Sequence, residues 1–131
     1  MRIRVVGNAL KRFILCLAVA LPLALPHVAV AGEQAPAATL LFFLNPNGQP
    51  CQVQSQIIDG IRPQIEQKAR IVAVSTADSA SMSRFRQYGV RYLPLLILVG
   101  DDQKEIKRFS PGIQPAEEIL KEIAALGGKT S

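Results

Sequence analysis

The chain has 131 residues, which suits one small domain with a modest hydrophobic core. Fifteen residues are lysine or arginine and ten are aspartate or glutamate, for a formal net charge of +5. Four of the basic residues lie near the N-terminus, so the rest of the chain is nearly neutral and a nucleic-acid-binding surface is not indicated. These four residues are Arg2, Arg4, Lys11 and Arg12.

Residues 1–31 have the pattern of a secretory signal peptide. After the basic start comes an uncharged apolar run at 13–25, and the small residues at 29–31 have the spacing that signal peptidase requires. We expect cleavage after Ala31 and export, most simply to a bacterial periplasm. The alternative is an uncleaved membrane anchor, although Pro22 and the residues after it leave the run short for a stable span.

Cleavage would also remove Cys16 and the single histidine, His27, and leave Cys51 as the one cysteine. A structural zinc site needs about four cysteine or histidine ligands, a cysteine–histidine nucleophile pair needs a histidine, and an internal disulfide needs two cysteines. All three are excluded in the processed chain, and no metal or other cofactor is predicted. A lone thiol is unusual in an oxidising compartment and requires an explanation.

The first part of the expected domain, residues 39–128, predicts a strand, a loop and a helix. After a polar linker at 32–38, the TLLFFL run at 39–44 is expected to be a strand buried on both faces. Turn-forming residues break the chain at 45–48, and apolar residues recur at helical spacing from Cys51 onward. Pro63 lies within this pattern and predicts a kink or a break.

A second buried strand is predicted at residues 70–75, which carry the RIVAVS run. Asp78 or Ser79 can cap a short helix that ends at Gly89. The apolar side of that helix is expected to consist of Met82, Phe85 and Tyr88.

The last part of the domain predicts a hairpin and a helix. A buried strand at 95–99 is followed by a turn and by a strand at 104–109, in which alternation points Ile106 inward. Pro115 opens a final amphipathic helix. The order β-α-β-α-β-β-α indicates an α/β fold with a mixed four-stranded sheet.

This order and two motifs resemble the thioredoxin superfamily over residues 38–127. The GQPC stretch at 48–51 is similar to the family's Cys-Gly-Pro-Cys, with Pro50 and Cys51 matching its last two positions. The YGVRYLP stretch resembles the family's Tyr-Gly-Ile-x-x-x-Pro, so Pro94 would be the cis-proline facing the active-site loop. The resemblance implies a thioredoxin-like three-layer fold and envelope thiol–disulfide redox work.

Three departures from the family's pattern affect the implied chemistry. Gly48 stands where the family has its nucleophilic first cysteine, and Asn47 stands where it has a tryptophan. Phe42 stands where thioredoxins have a buried acid that helps to move protons. The fold is therefore expected without the usual dithiol activity.

Cys51 and Gly48 each have two interpretations. Cys51 begins a helix, where backbone N–H groups favour a reactive thiolate, or it is a small buried residue kept for packing. Gly48 is a loop glycine that needs a positive φ, or it leaves room for a partner's backbone or thiol to approach Cys51.

Pro94 and the residues around it also suggest a binding role. A proline at this place fixes a tight turn and leaves neighbouring backbone groups free to pair with an extended peptide, which Leu93 would contact. Gln49 is a candidate to hydrogen-bond a peptide or glutathione. The dense glutamines that begin with it, at positions 49, 52, 54 and 56, more simply mark a solvated helix start.

Three functions follow as hypotheses. The first is an exported monothiol protein that forms mixed disulfides through Cys51 with a protein partner or glutathione. The second is a redox-inactive module that binds an extended segment in the groove beside Pro94. The third is a soft-metal carrier that uses Cys51 with help from Met82, for which the ligand set is poor.

Overall fold

The computed structural model describes residues 36–128. The expected signal peptide at residues 1–31, with Cys16, lies outside the described residues, as does most of the expected linker. Among the described residues, no helix is both long and apolar enough to cross a membrane.

Four strands form one mixed sheet. β1 (Ala38–Leu44) is parallel to β2 (Arg70–Ser75) and antiparallel to β3 (Leu95–Gly100), which is antiparallel to β4 (Glu105–Arg108), so the order across the sheet is β2-β1-β3-β4. The predicted α/β class, the mixed four-stranded sheet and the late hairpin are confirmed.

Three helices cover the sheet. They are α1 (Gln49–Glu66), α2 (Met82–Gln87), which follows a 3₁₀ turn at Ser79–Ser81, and α3 (Ala116–Ala124), which runs into a 3₁₀ turn at Ala125–Gly127. Asp78 caps the turn before α2 by accepting from the Ala80 N–H. That bond and the stronger one from the Ser81 hydroxyl hold the pKa of Asp78 below its ordinary value. Gly89 has a φ of +59°, as its predicted role as the stop of α2 requires.

The core lies on both faces of the sheet because β1, from Leu40 to Leu44, and β3, from Leu95 to Val99, carry consecutive apolar residues. Leu40 and Phe42 of β1 pack with α1 and α3 on one face. Leu41 and Phe43 pack with α2 on the other face, where the Phe43 ring meets Phe85 edge to face at 5.2 Å. The continuous apolar run in β1 is therefore explained by its burial on two sides.

Three expectations about the sheet and the short helix are wrong. β2 is an edge strand in which only Val74 is buried, although its sequence is as apolar as that of a central strand. Ile106 is 45% exposed because a bulge opposite Leu98 and Val99 shifts the register of β4 and reverses the expected alternation. Met82 is also exposed, so the buried side of α2 consists of Phe85 and Tyr88.

The expected break at Pro63 does not occur, because α1 runs through it to Glu66. Pro63 lies on the exposed side of the helix, and so does Asp59, whose carbonyl loses its partner to the proline ring. Water can satisfy that carbonyl. Arg62 adds support there, because its guanidinium pairs with the carboxylates of both Asp59 and Glu66.

Candidate functional site

The loop between β1 and α1 is a tight turn built from its own residues. The Gly48 N–H donates to the Asn45 carbonyl at 3.0 Å, and the Asn47 N–H donates to Asn45 Oδ1 at 3.0 Å. Pro50 lies in the first turn of α1, where no intrahelical N–H bond is lost. The sequence from Asn45 to Cys51 thus fixes the start of the helix by local contacts.

Cys51 is the third residue of α1 and is 2% exposed. Its Sγ accepts a hydrogen bond from the Asn45 N–H at 3.3 Å. A hydrogen bond of this kind is stronger when its acceptor carries charge. It is the one cysteine among the described residues, so nothing in this part of the chain pairs with it.

Gly48 has φ −83° and ψ 124°, so the expectation that this loop needs a positive φ is wrong. Any residue adopts such an extended conformation. What the missing side chain does leave is space: a Cβ at this position would lie 3.7 Å from Cys51 Sγ and 3.3 Å from the Asn45 carbonyl oxygen. The glycine therefore keeps one side of the sulfur free of a side chain.

Pro94 lies at the start of β3, after a cis Leu93–Pro94 peptide bond, and is fully buried. Phe43 pairs with Leu95 across β1 and β3, so continuing the register by one residue brings Pro94 beside Leu44. Asn45, the donor to Cys51 Sγ, comes next in the chain. The sheet register thus brings the Pro94 loop to the C-terminal end of β1. The loop that leads to Cys51 begins at the same end.

The loop between β4 and α3 lies against Pro94. The Gly112 N–H donates to the Pro94 carbonyl at 2.9 Å, and Gly112 has a φ of +107°, which favours glycine. Two exposed apolar side chains flank this contact, because Ile113 is 46% exposed and Tyr92, two residues before Pro94, is 70% exposed. Leu93, which lies between Tyr92 and Pro94 in the sequence, is half-buried.

The glutamines of α1 do not form one solvated group. Gln49 and Gln56 are exposed, and Gln52 is also exposed while its Nε2 donates to the Pro46 carbonyl at 3.1 Å. Gln54 is fully buried, so the expectation of a solvated helix start is wrong for this residue. Its position three residues after Cys51, on the same helix face, is the sequence signal that could have indicated its burial.

Gln54 holds the loop between β4 and α3. Its Oε1 accepts from the Gln114 N–H at 2.6 Å, and its Nε2 donates to the Gln114 carbonyl at 3.3 Å. Sequence reasoning also missed the exposed pair Tyr92 and Ile113, whose exposure depends on how the two loops meet.

Phe42 is buried in the apolar core between the sheet and α1, and its phenyl ring cannot carry a proton as the acid at this place in thioredoxins does. Within residues 36–128, no group of three or more His, Cys, Asp or Glu side chains is arranged to hold a metal ion.

Comparison with known proteins identifies the family. The family described as "TraF: F plasmid transfer operon protein" matches residues 32–124. No curated protein matches the chain.

Solved structures show the same fold at low sequence identity. A thioredoxin-fold protein from Helicobacter pylori has 17% identity and a TM-score of 0.61, covering 70% of this chain and 70% of that one. Thioredoxin-2 of the malaria parasite has 19% identity and a TM-score of 0.59, covering 67% and 82%. A thioredoxin from Thermus thermophilus has 21% identity and a TM-score of 0.58, covering 70% and 75%. The solved structures show that the chain has the thioredoxin fold, and the family match establishes that it belongs to the TraF family.

Proposed function

We propose that this chain is an exported thioredoxin-like protein that forms mixed disulfides through Cys51 with a protein partner or glutathione. The observation that carries the proposal is the setting of Cys51 Sγ, which accepts a backbone N–H from Asn45 and has no side chain beside it at Gly48. The pattern of residues 1–31 supports export to an envelope compartment such as the bacterial periplasm.

The reaction is thiol–disulfide exchange. The Cys51 thiolate attacks one sulfur of a partner disulfide, a new S–S bond forms to Cys51, and the other partner sulfur leaves as a thiolate. A second thiolate, from another protein or from glutathione, then attacks the partner sulfur of the mixed disulfide and returns Cys51 to its reduced state. No net oxidation of the chain occurs over the cycle.

The external second thiol is needed because Gly48 stands at the position from which an internal thiol would act. Cys51 can therefore attack a disulfide, but no described residue of the chain can release the product. The predicted cycle is monothiol exchange in the presence of a small thiol or a thiol protein. Such a cycle is compatible with thiol–disulfide exchange in the cell envelope.

A second function is favoured by the burial of Cys51. The thiol of a residue that is 2% exposed resists attack in the folded state, which suits a redox-inactive module that binds an extended peptide beside Pro94. The exposed side chains of Tyr92 and Ile113 provide the apolar surface that such a peptide would contact.

Exposure of the folded protein to glutathione disulfide separates the two functions. Wild-type protein should gain one glutathione at Cys51, located by peptide mapping, and Cys51→Ser should gain none there. Modification of Cys51 only after denaturation would contradict the monothiol function and favour the binding module. N-terminal sequencing of envelope protein, expected to begin at Gly32, tests the export part of the proposal.

A further inference from the structure

The buried amide of Gln54 joins the helix that carries Cys51 to a loop far away in the sequence. Gln54 lies one helical turn after Cys51, and its side chain binds both backbone polar groups of Gln114. The two residues are 60 positions apart. This contact links α1 to the second half of the domain through two hydrogen bonds.

The loop that Gln54 holds is itself connected to Pro94. Gln114 Nε2 donates to the Ser110 carbonyl at 2.8 Å and closes the loop on itself. The Gly112 N–H, inside the loop, donates to the Pro94 carbonyl at 2.9 Å. Separate hydrogen bonds therefore join this one loop to the Cys51 helix, through Gln54, and to Pro94, the residue before β3.

An amide at position 54 fixes the position of the Gln114 backbone relative to α1, which an apolar residue would not do. A leucine fills nearly the same volume, but it would leave the Gln114 N–H and carbonyl without these partners. The amide supplies one donor and one acceptor in a fixed arrangement. It therefore sets where the loop lies along α1, in addition to filling the space.

We propose that Gln54 is a positioning residue that determines which disulfides react with Cys51. By holding the Ser110–Gln114 loop, it keeps Gly112 and Ile113 beside Pro94, where the extended peptide of a disulfide substrate would lie. A small disulfide needs no contact with that loop. The inference rests on the proposed mixed-disulfide function of Cys51.

Two probes with the same leaving group measure this selectivity. One is the symmetric disulfide of 5-thio-2-nitrobenzoate, and the other is an extended apolar peptide with one cysteine in a mixed disulfide with the same thiol. Both release the coloured thiolate when Cys51 attacks the other sulfur. A change in the reactivity of the Cys51 thiol alters both rate constants equally and cancels in their ratio. The ratio therefore measures how well the peptide is positioned.

Gln54→Leu should lower the ratio of the peptide rate to the small-probe rate by about tenfold, because small misplacements of a reacting group cost one to two orders of magnitude. Gln56→Leu is the matched control, since Gln56 is an exposed glutamine of the same helix, and its ratio should equal that of the wild type. The Gln114 N–H should also exchange with solvent faster in Gln54→Leu and not in the control.

Gln54→Glu provides a second variant with a distinctive pH profile. A protonated carboxyl can accept from the Gln114 N–H and donate to its carbonyl, as the amide does, whereas a carboxylate can only accept. Burial raises the pKa of a carboxyl, so the rate ratio should rise toward the wild-type value as the pH falls. The ratio of the wild type should not change in that way.

An unchanged ratio and unchanged Gln114 exchange in Gln54→Leu would overturn the positioning role. If that variant does not fold, a Gln54→Glu ratio that stays constant with pH overturns it equally. A wild-type protein that reacts with neither probe overturns the proposed function instead. In that case exchange of the Gln114 N–H still decides whether Gln54 holds the loop.

Discussion

The two sides of the Cys51 site are held by different kinds of contact. We call residues 45–51 the near wall, because their hydrogen bonds join residues at most six positions apart. We call residues 92–94 together with 110–114 the far wall. It depends on the β1–β3 register, on the Gly112–Pro94 bond and on Gln54, whose partner is 60 positions away.

This difference separates reactivity from selectivity. The near wall sets the surroundings of the sulfur, and its conformation follows from local turn chemistry. The far wall exists only when the sheet and both loops are in place, and it supplies the exposed apolar side chains of Tyr92 and Ile113. Changes to the near wall should therefore alter the reaction, while changes to the far wall should alter partner choice and stability.

The largest effect is expected from Gly48→Cys, which changes the reaction that the near wall supports. The new Cβ would lie 3.7 Å from Cys51 Sγ and 3.3 Å from the Asn45 carbonyl oxygen, so a small shift of the loop is needed to bring the two sulfurs to bonding distance. We expect an intramolecular disulfide, so the reduced variant should reduce one substrate disulfide per molecule without added thiol, releasing both product thiols as its own pair is oxidised. The wild type should instead stop at the mixed disulfide. The rate of this single reduction should remain below that of an ordinary thioredoxin, because Phe42 cannot carry protons.

Mass spectrometry of the oxidised variant and a single-turnover assay of substrate reduction, with and without glutathione, provide the measurements. Gly48→Ser is the matched control, because it adds a similar volume without a thiol. Adding Gln54→Leu to the variant should not prevent the disulfide, since the near wall does not depend on the far one. Cysteines at 48 and 51 that never pair would contradict the described loop.

The next largest effect is expected from Phe43→Ala, which damages the strand that joins the two walls. Phe43 is fully buried and packs edge to face on Phe85 and Tyr88. Loss of a buried aromatic side chain should lower the free energy of unfolding by about 3–5 kcal/mol. Val72→Ala, on the half-buried edge strand β2, should cost about 1 kcal/mol or less. Urea unfolding measures both, and equal losses would refute the difference in burial between the central strand β1 and the edge strand β2.

The smallest pair of effects compares two glutamines of the same helix. Gln54→Leu should lower the free energy of unfolding by about 1–3 kcal/mol, because it leaves buried backbone groups without partners. Gln52→Leu removes an exposed bond to the near wall and should change stability by about 0.5 kcal/mol at most. Chemical denaturation of both variants against the wild type tests this, and a greater loss in Gln52→Leu would reverse our assignment of the two walls.

The strands show how far the sequence could predict the fold. The runs in β1 and β2 are similarly apolar, and both were expected to be buried, yet β1 is central and β2 lies at the edge. Sequence pattern reports local conformation, whereas burial depends on how many neighbours a strand acquires. Ile106 illustrates the same limit, because a bulge against another strand decides which way it points.

The sequence by itself determined the order of the elements, the thioredoxin-like fold and the place of the turn before α1. Turn-forming residues, helical spacing and the GQPC match each involve residues a few positions apart, so they can be recognised in the sequence without knowledge of the fold. The tertiary structure decided that Gln54 is buried, that its amide holds Gln114, and that Tyr92 and Ile113 stay exposed. Those features depend on contacts between residues far apart in the chain, which only strand register and loop packing bring together.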